Sequence, residues 1–199
     1  MTVDLAEIAR YMRMGRSVPS GELASRVERL RDEATPAARF TFVKKRLPIE
    51  GGAIGSGSAR IEISGTLARH MGACGEAFLV CGTLGAGFDA FQRRVSVSSG
   101  TDALIAQAIG AALVEKHMDA LEDEIRAGLE PGESPVPRYS PGYGDFPLAA
   151  QRPLLDLLDA PRTVGVSLTD TLLMVPSKSV SAIIGIRRVA PGDKPETQQ

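Results

Sequence analysis

A chain of 199 residues with 43% hydrophobic content predicts one domain, long enough to bury a core without disulfides or structural metals. The formal net charge is −1 and the basic residues are dispersed, which argues against nucleic-acid and membrane partners. No apolar run approaches the roughly 20 residues that span a bilayer, and the acidic N-terminal segment is unlike a signal peptide. We therefore expect a cytoplasmic protein whose two cysteines, Cys74 and Cys81, are ordinary buried or partly buried thiols.

The chain begins with helical patterns and continues with strand patterns. Residues 4–14 and 20–34 place apolar side chains at helical spacing, and Ser20 stands where a helix cap is expected. Residues 41–49 and 59–64 have the apolar and β-branched composition of strands. The glycines between these two strands predict an irregular hairpin tip.

A glycine-rich segment follows the next predicted strand. Residues 76–83 form a continuous apolar run, which is typical of a central strand covered on both faces. The segment Gly82-Thr-Leu-Gly-Ala-Gly87 is similar to the glycine-rich loop of a Rossmann-type methyltransferase. That loop requires a βαβ unit with an acidic residue about twenty positions further on, whereas residues 99–102 open a helix here. A turn that leads into a helix is the favoured interpretation, and a Rossmann-type methyltransferase is the less favoured alternative.

A long helical pattern dominates the middle of the chain. Residues 101–129 carry apolar side chains at helical spacing, which predicts a helix roughly 40 Å long. Residues 130–137 contain three prolines and end it. Residues 151–158 predict a short helix, and residues 163–167 and 180–186 predict strands.

These elements predict an α+β fold in which a twisted, mainly antiparallel sheet is flanked by helices that include the long helix. We expect a single domain over residues 1–190, divided into an N-terminal part, residues 1–98, and a motif-bearing part, residues 99–186. The polar residues 191–199 predict a flexible tail.

A cation, a permissive turn and an aromatic ring occur within six residues, Arg138-Tyr-Ser-Pro-Gly-Tyr143. A guanidinium pairs with a carboxylate through two parallel hydrogen bonds. Gly142 permits a positive φ and the close approach of a ligand to the main chain. This combination is typical of a site for a small anion.

Hydroxyl side chains alternate with apolar residues in a second segment, Leu168-Thr-Asp-Thr-Leu-Leu-Met-Val-Pro-Ser-Lys-Ser-Val-Ser181. Such hydroxyls satisfy backbone groups where a chain enters and leaves a turn, here at Pro176. We expect this structural role for Thr169, Thr171, Ser179 and Ser181.

The two segments resemble the activation, or reactivation, domain of cobalamin-dependent methionine synthase. The resemblance rests on Arg138-x-x-Pro-Gly-Tyr143, followed by Leu168-Thr-x-[Ser/Thr]-x-x-Met-x-Pro-x-x-Ser-Val-Ser181. It covers mainly the motif-bearing part, and the chain looks like a stand-alone relative of the domain. The resemblance implies a subunit that binds S-adenosylmethionine and remethylates oxidised corrinoid.

The resemblance also implies which residues bind the cofactor. Arg138 and Tyr143 match residues that contact S-adenosylmethionine in that family, and Ser140 and Gly142 match a segment whose backbone does so. Glu115, in the long helix, matches an acid of the family's site; the alternative is a solvated glutamate at the boundary of the apolar face. No catalytic or metal-binding residue is predicted, because the two cofactors supply the chemistry.

Several charged and aromatic residues fall outside the family pattern. Asp145 is a candidate for binding an ammonium group or a partner protein, and Lys178 is interpreted as an exposed lysine rather than a phosphate or corrinoid contact. The family also uses an acid near the start of the domain and a tyrosine beyond Ser-Val-Ser. No residue here matches the acid. The tyrosine has no match either, because the only tyrosines are Tyr11, Tyr139 and Tyr143.

The implied function is reactivation of a partner, a cobalamin-dependent methionine synthase or another corrinoid protein, by reductive methylation of cob(II)alamin. This would place the chain in methionine biosynthesis and one-carbon metabolism, with flavodoxin or ferredoxin as electron donor. The partner would hold the cobalamin, because neither His70 nor His117 lies in the Asp-x-His-x-x-Gly ligating motif. The alternative is a non-catalytic subunit that senses S-adenosylmethionine or docks on a corrinoid protein.

Overall fold

The computed structural model describes residues 2–57 and 59–188, so the predicted tail, residues 191–199, lies outside the described residues. The predicted α+β class is confirmed. The helices are α1 (Leu5–Tyr11), α2 (Gly21–Ala34), α3 (Gly65–Met71), α4 (Ala86–Ser98), α5 (Gly100–Ala127), α6 (Gln151–Leu157) and α7 (Ala160–Thr163). The strands are β1 (Thr41–Glu50), β2 (Ala53–Ser56), β3 (Ala59–Glu62), β4 (Glu76–Thr83), β5 (Glu133–Pro135), β6 (Ser167–Leu168), β7 (Met174–Val175) and β8 (Ser179–Arg188).

Six strands form one antiparallel sheet in the order β3-β2-β1-β4-β8-β5, and β6 and β7 pair separately. β4 lies between β1 and β8, as its continuous apolar run predicts. Alternate residues of β4 face opposite sides of the sheet. Val80 packs against α5, whereas Leu79 and Cys81 pack in the cluster that includes α3 and α6.

The long helix is confirmed as α5, which belongs to two hydrophobic clusters. Its N-terminal half packs with α1, α2 and α4, and its C-terminal half packs on the sheet through Met118, Leu121 and Ile125. The side chain of Ser99 caps the first turn by accepting a hydrogen bond from the amide of Asp102 at 3.3 Å. α5 therefore provides one rigid surface that extends from the helical cluster across the sheet.

Two predictions of local structure are wrong. The glycine-rich segment between the first two predicted strands, residues 51–57, is not irregular throughout. Gly51 and Gly52 adopt φ values of 56° and 74° and form a tight turn from β1 into the regular strand β2. Residues 163–167 do not form a strand. Pro161 lies in the first turn of the short helix α7, which suits its fixed φ, and only Ser167 of the predicted range is in β6.

Candidate functional site

A cavity of about 350 Å³ opens between α5 and the chain that follows β5. Its lining residues are Glu115, Glu122, Pro137, Arg138, Tyr139, Ser140, Tyr143 and Val180. The structure thus brings together Arg138, Ser140, Tyr143 and Glu115, which are four of the five predicted cofactor-binding residues. Gly142 belongs to the same turn but is not part of the lining.

The segment that carries Arg138 runs along β8 as an irregular continuation of β5. The amide of Val136 donates to Gly185 O at 2.9 Å, and Tyr139 and Ile183 exchange hydrogen bonds of 2.8 and 2.9 Å. This extended course directs neighbouring side chains to opposite sides. Tyr139 packs in the cluster that includes α3 and α6, while Arg138 reaches α5.

Arg138 is bound by three carboxylates of α5. Its Nη2 donates to Glu115 Oε2 at 2.6 Å, and its Nη1 donates to Asp119 Oδ1 at 2.7 Å and to Glu122. The three acids recur at helical spacing and therefore lie along one face of α5. Burial lowers the pKa of Arg138, but these carboxylates more than compensate and hold it above its ordinary value.

The charges around Arg138 do not cancel. Three carboxylates face one guanidinium, which leaves two formal negative charges in excess. The side chains of Arg138 and Glu122 are only 22% and 16% exposed, so solvent screens their interaction less than it would at the surface. A ligand with net positive charge is favoured by this arrangement. Sequence analysis identified Glu115 but not Asp119 and Glu122. Their positions, one and two helical turns after Glu115, were the signal that could have revealed them.

The turn at Ser140–Phe146 has its own hydrogen bonds. Tyr143 N donates to Ser140 O at 3.3 Å, Gly142 N to Phe146 O at 2.9 Å, and Phe146 N to Tyr143 O at 3.0 Å. Gly142 has a φ of 96°, a conformation that favours glycine. Tyr143 lines the cavity and is 67% exposed, so its side chain is accessible to a ligand.

Asp145 bonds to α3, which differs from the ligand-binding role considered for it. Its carboxylate accepts hydrogen bonds from the amide of Thr66, at 2.8 Å, and from the hydroxyl of Thr66. These bonds favour the ionised form and lower the pKa of Asp145. The carboxylate therefore anchors the end of the turn.

Most hydroxyls of the second motif stabilise local structure, as predicted. Ser179 Oγ donates to Pro176 O at 2.7 Å and forms a second hydrogen bond, 2.8 Å long, with the hydroxyl of Thr83. The hydroxyl oxygens of Thr169 and Thr171 lie 3.0 Å apart, and Thr169 also accepts from the amide of Leu173. Ser181 differs, since its Oγ is buried without a hydrogen-bond partner among the described residues.

Lys178 is half-buried, so its interpretation as an exposed lysine is wrong. Its Cε lies 2.9 Å from the position that a Cβ would occupy at Gly110 of α5. Burial lowers the pKa of Lys178, and Asp89 opposes this effect. The stem of Lys178 therefore packs over a glycine of α5, outside the lining of the cavity.

The segment at Gly82–Gly87 has a packing role. Gly82 lies within β4, and a Cβ there would be 2.7 Å from the sulfur of Met118 and 2.8 Å from the ring of Phe40. Gly85 has a φ of 82° and caps α4. Both neighbours of β4 are antiparallel, which excludes the parallel βαβ unit of a Rossmann-type methyltransferase.

The two cysteines are buried thiols, as predicted. Burial raises the pKa of Cys81 to about 12. Across residues 2–57 and 59–188, no group of three or more His, Cys, Asp or Glu side chains is arranged to hold a metal ion. None of the helices in these ranges combines the length and hydropathy needed to cross a membrane.

One family model and one solved structure are similar to this chain. The family model of the vitamin B12-dependent methionine synthase activation domain matches residues 132–190, which include the segment that carries Arg138. The crystal structure of the MetH reactivation domain bound to AdoHcy is similar over 98% of this chain and 78% of that chain, with a TM-score of 0.61. At 14% identity, this similarity shows the shared fold. No curated protein matches the chain.

Proposed function

Because the chain is a relative of the vitamin B12-dependent methionine synthase activation domain, we propose that it binds S-adenosylmethionine and reactivates a corrinoid held by a partner protein. The observation that carries this proposal is the cavity that brings Arg138, Ser140 and Tyr143 together with Glu115. Its volume of about 350 Å³ falls in the range of small-molecule sites. The solved relative, which was crystallised with AdoHcy, supports the same class of ligand.

The charges of S-adenosylmethionine match those of the cavity. The ligand has an ammonium, a sulfonium and a carboxylate, and therefore one net positive charge. In the proposed complex the carboxylate of the ligand replaces an α5 carboxylate on the guanidinium of Arg138, and the acid so released pairs with a cationic group of the ligand. The exposed ring of Tyr143 adds an aromatic face for the sulfonium, worth about 0.5 to 2 kcal/mol.

The residues of the cavity contribute positioning rather than acid–base chemistry. In the proposed reaction, the methyl group passes from the sulfonium to a cobalt nucleophile held by the partner, and AdoHcy is released. An external donor, flavodoxin or ferredoxin, supplies the electron that reduces cob(II)alamin first. Arg138, the backbone at Ser140 and Gly142, and Tyr143 orient the ligand so that its methyl group faces the partner.

Charge also favours release of the product. Methyl transfer removes the sulfonium, so AdoHcy is neutral overall where S-adenosylmethionine carries one positive charge. The excess negative charge of α5 then attracts the product less than it attracts the substrate. The proposed site thus binds the methyl donor more tightly than its product.

Formation of methylcobalamin tests the reactivation. The chain and S-adenosylmethionine are mixed anaerobically with a cobalamin-dependent methionine synthase that lacks its own activation domain and with reduced flavodoxin, and absorbance is followed. We expect methylcobalamin to form with the intact chain and to form slowly with Arg138→Lys, which keeps the charge but lacks the fork. Binding of the ligand without methylcobalamin formation would contradict reactivation and favour a sensing or docking subunit.

A further inference from the structure

The turn that carries the proposed ligand-binding residues is tied at both ends to α3. At one end, Nε2 of His70 lies 2.6 Å from the carbonyl oxygen of Pro137, the residue before Arg138. At the other end, Thr66 bonds to Asp145. α3 follows β3, and both tethers join residues far apart in the sequence.

His70 contacts the segment in two ways. A carbonyl oxygen only accepts, so the 2.6 Å contact requires a proton on Nε2, which donates to Pro137 O. The ring of His70 also packs against Tyr139, with ring centroids 4.8 Å apart. The carbonyl of Pro137 shares a rigid peptide plane with the nitrogen of Arg138. His70 therefore fixes the backbone from which Arg138 projects toward α5.

Thr66 holds the opposite end of the turn at close range. Its amide and hydroxyl donate to the carboxylate of Asp145, and its hydroxyl also accepts from the amide of Asp145 at 3.3 Å. A Cβ at Gly144 would lie 2.7 Å from Thr66 Oγ1 and 2.8 Å from the hydroxyl of Tyr139. Gly144 thus allows the turn to approach α3 more closely than another residue would.

We propose that α3 positions the ligand-binding turn, with His70 and Thr66 as positioning residues. Neither residue lines the cavity, so their effect on a ligand passes through the backbone of residues 137–145. Arg138 is then held from two sides, by the carboxylates of α5 and by a backbone that α3 fixes. Because the turn is already ordered in the free protein, ligand binding costs less conformational entropy than it would with a mobile turn. The effect on affinity rests on the proposed function, whereas the order of the turn is a property of the free protein.

Hydrogen exchange of the free protein tests this proposal without any ligand. We expect the amides of Gly142, Tyr143 and Phe146 to exchange about three to ten times faster in His70→Ala and in Thr66→Val. The amides of β4 should keep the protection of the intact protein. His70→Gln retains a donor and should recover most of the protection of the turn, and Ser64→Ala is the matched control, because Ser64 precedes α3 without a capping bond.

If the amides of the turn exchange at the same rate in the variants as in the intact protein, the proposal is wrong. It is also wrong if the amides of β4 exchange faster by the same factor as those of the turn, because the variants would then be destabilised as a whole. Titration of S-adenosylmethionine then measures the consequence for binding. We expect about three- to tenfold weaker affinity in His70→Ala and recovery in His70→Gln. An intact chain that fails to bind the ligand would contradict the proposed function, while the exchange result would still decide the role of α3.

Discussion

Nη2 of Arg138 lies 2.6 Å from Oε2 of Glu115, across the gap between the chain after β5 and the long helix α5. This ion pair joins the first motif to the helix that spans the sheet and the helical cluster. Asp119 and Glu122 extend it into a cluster with excess negative charge. Arg138 is therefore both a proposed ligand contact and the residue that connects the turn to α5.

Replacing one carboxylate of this cluster should change ligand selectivity. Glu122→Gln keeps the shape of the side chain and removes one charge, so binding of S-adenosylmethionine should weaken by about 1 kcal/mol more than binding of AdoHcy. Calorimetric titration with both ligands measures the difference. Asp119→Asn is the matched control, because Asp119 is 65% exposed and solvent screens its charge more strongly. Equal weakening of both ligands in Glu122→Gln would show that charge does not discriminate between them.

Gly142 should not tolerate a side chain. Its φ of 96° strains any other residue, and a Cβ would lie 3.3 Å from Cδ1 of Leu148. We expect Gly142→Ala to cost about 1 to 2 kcal/mol in the free energy of unfolding and to weaken ligand binding. Denaturant unfolding and titration measure the two effects. Gly100→Ala serves as control, since no heavy atom lies within 4 Å of a Cβ at that helical position. If both variants lose the same free energy of unfolding, the positive φ of Gly142 is not the cause of the loss.

Cys81 should make the stability of the protein fall at alkaline pH. Its pKa is raised to about 12 in the folded state by burial, whereas an unfolded cysteine titrates near its ordinary value of 9.0. As the pH rises, the thiol of Cys81 therefore loses its proton in the unfolded state before it does so in the folded state. The contribution of Cys81 to the free energy of unfolding is complete below about pH 9 and is lost progressively toward pH 12.

Urea unfolding at several pH values from 7 to 11 checks the contribution of Cys81. Cys81→Ala leaves a cavity whose cost does not vary with pH, so the slope of stability against pH is compared rather than its absolute value. We expect a shallower decline above pH 9 in the variant than in the intact protein. Parallel declines would mean that Cys81 does not cause the effect.

The sequence predicted the parts of the fold with strong local signals. β4 and α5 were recognisable because their apolar patterns are long and regular. β2 was missed because glycines suggest irregular structure, whereas here Gly51 and Gly52 use positive φ to make a tight turn. The composition of residues 163–167 suggested a strand, but the short helix α7, whose first turn contains Pro161, ends only at Thr163, and Ser167 alone of this range pairs in β6.

The composition of the site was only partly predictable, for a different reason. Arg138 and Tyr143 belong to a contiguous motif, so a single segment reveals them. The bonds from His70 to Pro137 and from Thr66 to Asp145 join residues that are 67 and 79 positions apart. Such contacts depend on how α3 packs against the face of the sheet to which Leu79 and Cys81 of β4 also belong. No local pattern in one sequence specifies them.

The most direct test of the central claim is calorimetric titration of S-adenosylmethionine into the intact chain and into Arg138→Ala, with Arg138→Lys as the variant that keeps the charge. Thermal unfolding of each variant confirms that it remains folded, because removing Arg138 leaves the acids of α5 without their counterion. We predict that the intact chain binds, that Arg138→Lys binds more weakly, and that Arg138→Ala loses about 2 to 5 kcal/mol of binding free energy. Equal affinity in a folded Arg138→Ala, or no binding by the intact chain, would contradict the claim that this cavity binds S-adenosylmethionine.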